Sequence, residues 1–214
     1  MSRSLFGAAL LPLLLGCGTS GPAQDMGPPP PEPQIRVGHF LDGFPALDLC
    51  VRGENDNEFS GPVVRTKLMR SGGVPFGNIS GYASLPASKY SVRVVSGMAT
   101  DCTMSFLGLP DINIDPIVAG RRYTVAGTGN INSGNYRFLT LEDDNSITAG
   151  QARLRFVHGI SAAFVGSVDL GSGSGGSFFG LLSASAYGEV GEGAGQIYLP
   201  LQPTTNATYA VRST

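Results

Sequence analysis

From Ile35 onward the chain runs in short stretches of alternating apolar and polar residues, each closed by Gly, Pro, Asn or Asp. A period of two places the apolar members on one face of a strand. The stretches 35–40, 46–51, 90–96, 123–127, 136–141, 153–158, 166–170, 196–201 and 209–212 read as strands. Beyond the first sixteen residues no segment keeps a sustained helical period, and 178–187 is the single helix candidate. Many short strands with turn-rich joints predict an all-β fold, an antiparallel β-sandwich of immunoglobulin-like type.

The alternation also repeats. Ile35-Arg36-Val37-Gly38-His39 is similar to Leu154-Arg155-Phe156-Val157-His158, and Leu47-Asp48-Leu49 to Val168-Asp169-Leu170. Phe76-Gly77 and Tyr82 find counterparts in Phe179-Gly180 and Tyr187. Leu85-Pro86 with Tyr90-Ser91-Val92-Arg93 returns as Leu199-Pro200 with Tyr209-Ala210-Val211-Arg212. The later strands, 123–127 and 136–141, have no second version. The body therefore divides into a full β-sandwich repeat at 35–150 and a partial one at 151–214. A half repeat either packs on the first or leaves strand edges that invite β-addition from another chain.

The first sixteen residues follow a different rule. Arg3 supplies a positive start, and the apolar stretch 5–15 is too short to cross a bilayer core of about 30 Å. Leu14-Leu15-Gly16-Cys17 resembles a bacterial lipobox, which implies a signal peptide at 1–16 and a diacylglycerol on the Cys17 thiol. The alternatives are an ordinary signal peptide with a chance cysteine at its end, and a cytoplasmic protein with an apolar N-terminus. Residues 17–34 are rich in Gly and Pro and carry no apolar period, as suits an extended spacer. Gly18 after the cysteine points to the outer membrane, facing either the periplasm or the surface. The membrane, through this lipid, is the first expected partner.

Composition narrows the field. Charged residues make up 14% of the 214 and the formal net charge is −2. No overall basic field exists to attract nucleic acid or acidic lipid. With Cys17 lipidated, Cys50 and Cys102 remain, and two thiols in one exported domain pair more often than not. Two free buried thiols are the alternative. Alternation puts Cys50 with Asp48 and Arg52, opposite Leu47, Leu49 and Val51, so the expected bridge lies on the surface side of its strand.

The motifs resemble the bacterial family known as domain of unknown function 4397. Arg36, His39, Asp42, Pro45, Ala46 and Asp48 match its opening Arg-x-x-His strand, loop and Val-Asp-Val strand. Gly77, Gly81-Tyr82, Leu85-Pro86-Ala87 and Tyr90-Ser91-Val92 resemble its following elements. Ala119-Gly120 with Tyr123-Thr124-Val125 is similar to its later strand, and Asp143-Asp144-Asn145 leading to Gly150, Ala152 and Arg153 to its joint between copies. In the second copy, His158-Gly159-Ile160-Ser161-Ala162-Ala163 lacks the Asp and Pro of the loop. The resemblance implies a cell-envelope sandwich domain and carries no assigned catalytic residues.

Candidate chemistry is sparse. His39 and His158 share the apolar faces of their strands, which favours structural, hydrogen-bonded imidazoles, with His39 orienting the loop that holds Asp42. One His per repeat is a poor metal-ligand density, so no metal or cofactor is expected. The acidic clusters 54–58 and 142–145 lack EF-hand spacing and are turn-like. Gly171-Ser172-Gly173-Ser174-Gly175-Gly176 contains Gly-x-Gly-x-x-Gly, but no helix pattern with a cap follows it, so it reads as a connector. Gly159-Ile160-Ser161-Ala162-Ala163 lacks the last Gly of a nucleophile elbow. The leading expectation is a non-enzymatic binding or adhesion module for an envelope or matrix protein or polysaccharide. The alternatives are an assembly lipoprotein whose half repeat pairs with another chain, and an enzyme with a site around His39 and Asp42.

Overall fold

The computed structural model describes residues 30–143, 146, 149–159, 161, 166–173, 175–184, 186–193, 198–201 and 208–213. The signal-like segment and Cys17 lie outside the described residues, as do Asp144 and Asn145.

The first copy is a two-sheet sandwich. One sheet takes β1 (Gln34–Asp42), β3 (Asn78–Ile79), β4 (Ala83–Ser84), β7 (Arg122–Asn130) and β8 (Asn135–Asp143). The other takes β2 (Leu47–Gly53), β5 (Ser88–Ser96) and β6 (Ile112–Ile117). Pairing is antiparallel throughout, except that β1 runs parallel to β7. The alternation works as the sequence implies: Ile35, Val37, His39 and Leu41 point into the core, where Leu47, Leu49, Val51, Val92, Val94 and Val125 meet them. Pro116 sits in β6, an edge strand, where a missing N–H costs no ladder bond.

The second copy adds β9 (Ala152–Leu154) paired with β12 (Leu199–Leu201), and β10 (Val168–Ser172) between β11 (Phe179–Ala184) and β13 (Tyr209–Ser213). Segment 178–187 is thus not a helix. Its core is β11, in which Leu182 and Ala184 are buried while Ser183 between them is exposed. Strand 153–158 is shorter than its pattern suggests: β9 ends at Leu154, and only an isolated bridge from Val157 to Val190 continues it.

Backbone bonds fix which residues of the two copies correspond. Gly77 N–H donates to the His39 carbonyl at 2.7 Å, and Gly188 N–H to the His158 carbonyl at 2.8 Å. Ser80 N–H meets Val37 O at 2.8 Å, and Gly191 N–H meets Phe156 O at 2.8 Å. The counterpart of Phe76-Gly77 is therefore Tyr187-Gly188, not Phe179-Gly180. Ile35 pairs with Ala83 and Leu154 with Leu199, so Tyr198 stands where Tyr82 does, and Leu199 matches Ala83 rather than Leu85. Leu49 pairs with Val94 and Leu170 with Val211, a shift of two from the alignment by motif. A slip of two keeps every side chain on its face, which is why pattern alone cannot detect it.

The outer face of β2 departs most from expectation. Cys50 and Asp48 are fully buried, so the bridge from Cys50 to Cys102 is not a surface staple. A short helix, α1 (Val63–Lys67), lies over that face with Val63 and Val64 buried. Five residues are too few to hold a helix alone. No side chain of its own caps it. Instead the Asp48 carboxylate accepts the N–H groups of Val64 at 2.8 Å, Arg65 at 2.9 Å and Leu49 at 2.7 Å. Burial pushes the Asp48 carboxyl pKa up from its ordinary value, against the pull of those three donors. In the second copy β11 occupies the matching flank, and Asp169 takes a bond from Ser183 Oγ at 2.6 Å instead.

Candidate functional site

The outward face of the first sheet should be wet, yet β7 is buried from Tyr123 to Gly129. The second copy covers it. Tyr187 Oη donates to Thr128 O at 2.6 Å and lies 3.2 Å from Thr128 Oγ1. Gly129 permits that approach: its φ is +96°, and a Cβ there would stand 2.2 Å from the Tyr187 hydroxyl.

At the other end of the contact, one carboxylate joins the copies. Asp143, the last residue of β8, has its Oδ2 3.3 Å from Arg36 Nη2 and its Oδ1 2.6 Å from Arg155 Nη2. These are the equivalent arginines of the two repeats. Thr124 Oγ1 and Tyr82 Oη donate to Asp143 Oδ2 at 2.6 and 2.8 Å, and Arg36 Nε donates to Thr124 Oγ1 at 2.8 Å. Each arginine also faces the tyrosine of its own copy, Arg36 over Tyr82 at 4.8 Å and Arg155 over Tyr198 at 5.3 Å. Arg155 Nη1 and Tyr198 Oη both donate to Glu142 O, at 2.7 and 2.9 Å.

The electrostatics follow. Burial alone would raise the Asp143 carboxyl pKa, but the Thr124 and Tyr82 hydroxyls and the two guanidinium groups outweigh it and hold Asp143 below the usual carboxylate range. The Tyr82 hydroxyl is pushed up to about 12, by burial first and then by the adjacent Asp143. Tyr82 therefore stays protonated and acts as a donor.

Between the Asp143 pin and the Tyr187 contact the copies leave a cleft of about 710 Å³. Its floor carries Arg36 and Phe40 of β1, Thr124, Ala126 and Thr128 of β7, and Leu141 of β8. Arg153, Arg155, Val157, Gly159 and Tyr198 form the opposite wall, with Phe76 and Ile79 at the rim. Small residues keep it open. Gly159 stands where the first copy has Phe40, and a Cβ at Gly38 would press on the Phe40 ring at 3.1 Å.

The residues singled out from the sequence fall elsewhere. His39 is fully buried, its Nδ1 accepting Leu41 N–H at 3.2 Å and its Nε2 2.7 Å from Pro45 O. The first bond sets the tautomer, so Nε2–H donates to Pro45. Burial lowers its pKa. Asp42 turns away and accepts from Asn130 Nδ2 at 2.7 Å, so His39 and Asp42 do not form a pair. His158 repeats the motif with Nε2 2.9 Å from Gly166 O, the residue equivalent to Pro45. Asp56 accepts Gly53 N–H at 3.1 Å, as in a turn. Among the described residues no group of three or more His, Cys, Asp or Glu gathers as a metal ion would require. The loop after β10 leads into strand β11, not into the helix a dinucleotide site needs.

A family model for a domain of unknown function, DUF4397, matches residues 33–170. The chain belongs to the DUF4397 family. The match begins just before β1 and ends within β10, so it takes in Arg36, Asp143 and Arg155 together. No curated protein matches the chain. The DUF4397 pattern marked Arg36, Tyr82 and Asp143 as motif residues, and these three converge within the first copy; that Arg155 joins them depends on how the two copies pack, which no local pattern contains.

Proposed function

We propose that this chain is a non-enzymatic binding module of the bacterial cell envelope, held by a lipid on Cys17 to the outer membrane, with the inter-copy cleft as its ligand site. The observation that carries the reading is the cleft itself, about 710 Å³ with guanidinium groups at one end and apolar side chains at the other. Clefts of a few hundred to about 1,000 Å³ with a few placed polar groups are the usual form of small-ligand sites. The buried, doubly bonded His39 is poorly placed for proton transfer, which supports binding over catalysis.

A photoreactive benzoylphenylalanine at Ile79 in intact cells tests this reading. A saturable adduct that disappears in Gly159→Leu supports it; no adduct, or one indifferent to the filled cleft, overturns it. Radioactive palmitate tests the anchor, since label should enter the parent chain and be lost in Cys17→Ala. Equal labelling of both would remove the anchor from the proposal.

A second reading, assembly with another chain, draws on β13. Among the described residues it pairs with β10 alone, and Val211 on it is exposed. Sedimentation of the parent chain against Val211→Lys separates the two, because only assembly through this edge makes the variant smaller.

A further inference from the structure

We propose that the cleft takes a single-chain amphiphile with an anionic head, a fatty acid or a lysolipid, lying with its head at the arginine end and its tail toward Phe40 and Phe76. The inference rests on the reading of the cleft as a binding site and names its occupant.

Charge supplies the first argument. Among the described residues, Arg36, Arg153 and Arg155 line the polar end and Arg122 lies over the ring of Tyr82 beside them, against Asp143. Counting the sequence neighbour Asp144 still leaves a basic excess, in a chain whose net charge is −2. A guanidinium group on a carboxylate or phosphate forms directional, charge-assisted bonds, and several around one head fix its position. The Asp143 carboxylate, shared between Arg36 and Arg155, cancels one of their two charges and leaves the other.

Apolar exposure supplies the second. Phe40, Phe76 and Ile79 are 37%, 57% and 44% exposed, and all three line the same cleft. Pairing of Gly38 with Ile79 and His39 with Asn78 sets them side by side. Contiguous exposed apolar surface next to a concave site marks where an apolar group is received. Distance supplies the third. Arg36 and Phe40 lie on one face of β1 four residues apart, roughly 13 Å along a strand. A ligand joining the two ends must be anionic at one tip and apolar for about that length.

The floor has little that would recognise a sugar or a peptide backbone. Its middle is Ala126, Thr128 and Leu141, faced by Val157 from the opposite wall, with the strand bonds of β1 and β7 consumed in their own sheet. An unbranched acyl chain asks only for apolar contact there.

The test uses the full chain in nanodiscs and a diazirine-bearing dodecanoate, with protein-free nanodiscs as background. Expected is saturable labelling confined to peptides holding Phe40, Phe76 to Ile79 or Val157. Dodecanoate and lysophosphatidate should compete with it, while dodecanol should compete at least about tenfold less well, as loss of a charged hydrogen bond implies. Competition by only one of the two anions identifies which head the arginines accept. Gly159→Leu should abolish labelling, and Arg36→Gln should weaken it about tenfold while narrowing the gap between acid and alcohol. Equal competition by dodecanol, or label outside those peptides, overturns the amphiphile. If the Ile79 adduct in cells is cleft-dependent but contains protein or polysaccharide, the amphiphile falls and the binding module stands.

Discussion

At the scale of single residues, the two histidines show how a polar side chain earns a place in the core. His39 bridges from its own strand to the Pro45 carbonyl and closes the turn into β2, and His158 does the same to Gly166. Both nitrogens of His39 are used in the neutral tautomer. Its pKa is lowered by burial from 6.5, so the unfolded chain binds a proton more readily than the folded one. The stability this protects is full above about pH 6.5 and is lost as pH falls from there through the folded value. Urea midpoints of the parent chain should therefore decline over that window. His39→Gln should be less stable at pH 7 by about 1–2 kcal/mol, from one imperfect hydrogen bond, and should decline less steeply. Parallel pH profiles for the two proteins would show that His39 is not the titrating group.

At the scale of elements, the longer strands were legible, whereas β3, β4 and β6 went unread, β11 was read as a helix, and the coverings were not seen. The alternation of Ile35, Val37, His39 and Leu41 reports a strand with one buried face, and that is what β1 is. Helix α1 escapes notice because Val63-Val64-Arg65-Thr66-Lys67 has β-branched residues and no local cap; its start is held by Asp48, sixteen positions earlier. The apolar residues of 178–187 suit a helix or a strand, and only pairing with β10 decides. Cys50 looked surface-facing because alternation assumes one dry face, whereas α1 and the bridge to Cys102 dry both. The bridge closes 52 residues of chain, which corresponds to about 4 kcal/mol in the chain-entropy model. Cys50→Ala with Cys102→Ala should lower stability by about 2–4 kcal/mol, since native strain and residual structure reduce the ideal figure. Hydrogen exchange should rise first around α1 and residues 97–105, with β1 and β7 changing least. An unchanged urea midpoint would mean the bridge constrains nothing that unfolding releases.

At the scale of the whole molecule, the site belongs to neither copy. Arg36 and Arg155 were visible as repeated letters and Asp143 as part of an acidic turn, yet the cleft exists only because the two outer faces meet across that carboxylate. Asp143→Asn should therefore act on the relation between copies more than on either sandwich. It removes the counter-charge of two guanidinium groups, of which Arg155 is largely buried, and breaking one side of such a pair costs about 3 kcal/mol. The loss should fall unevenly. Backbone exchange should quicken in 152–159 and 179–193, while β2 and β5, remote from Asp143, keep their protection. The Tyr187 to Thr128 contact remains and should prevent complete separation. Acid gives an independent check, because the Asp143 pKa is lowered from 3.8: the pin is intact above that value and is released only as pH falls through its folded pKa. Exchange in the second copy should thus stay slow down to about pH 4 in the parent chain. In Asp143→Asn it should be fast at every pH once the intrinsic rate is removed. Uniform quickening across both copies would instead mean that they unfold as one unit and that Asp143 is an ordinary core support.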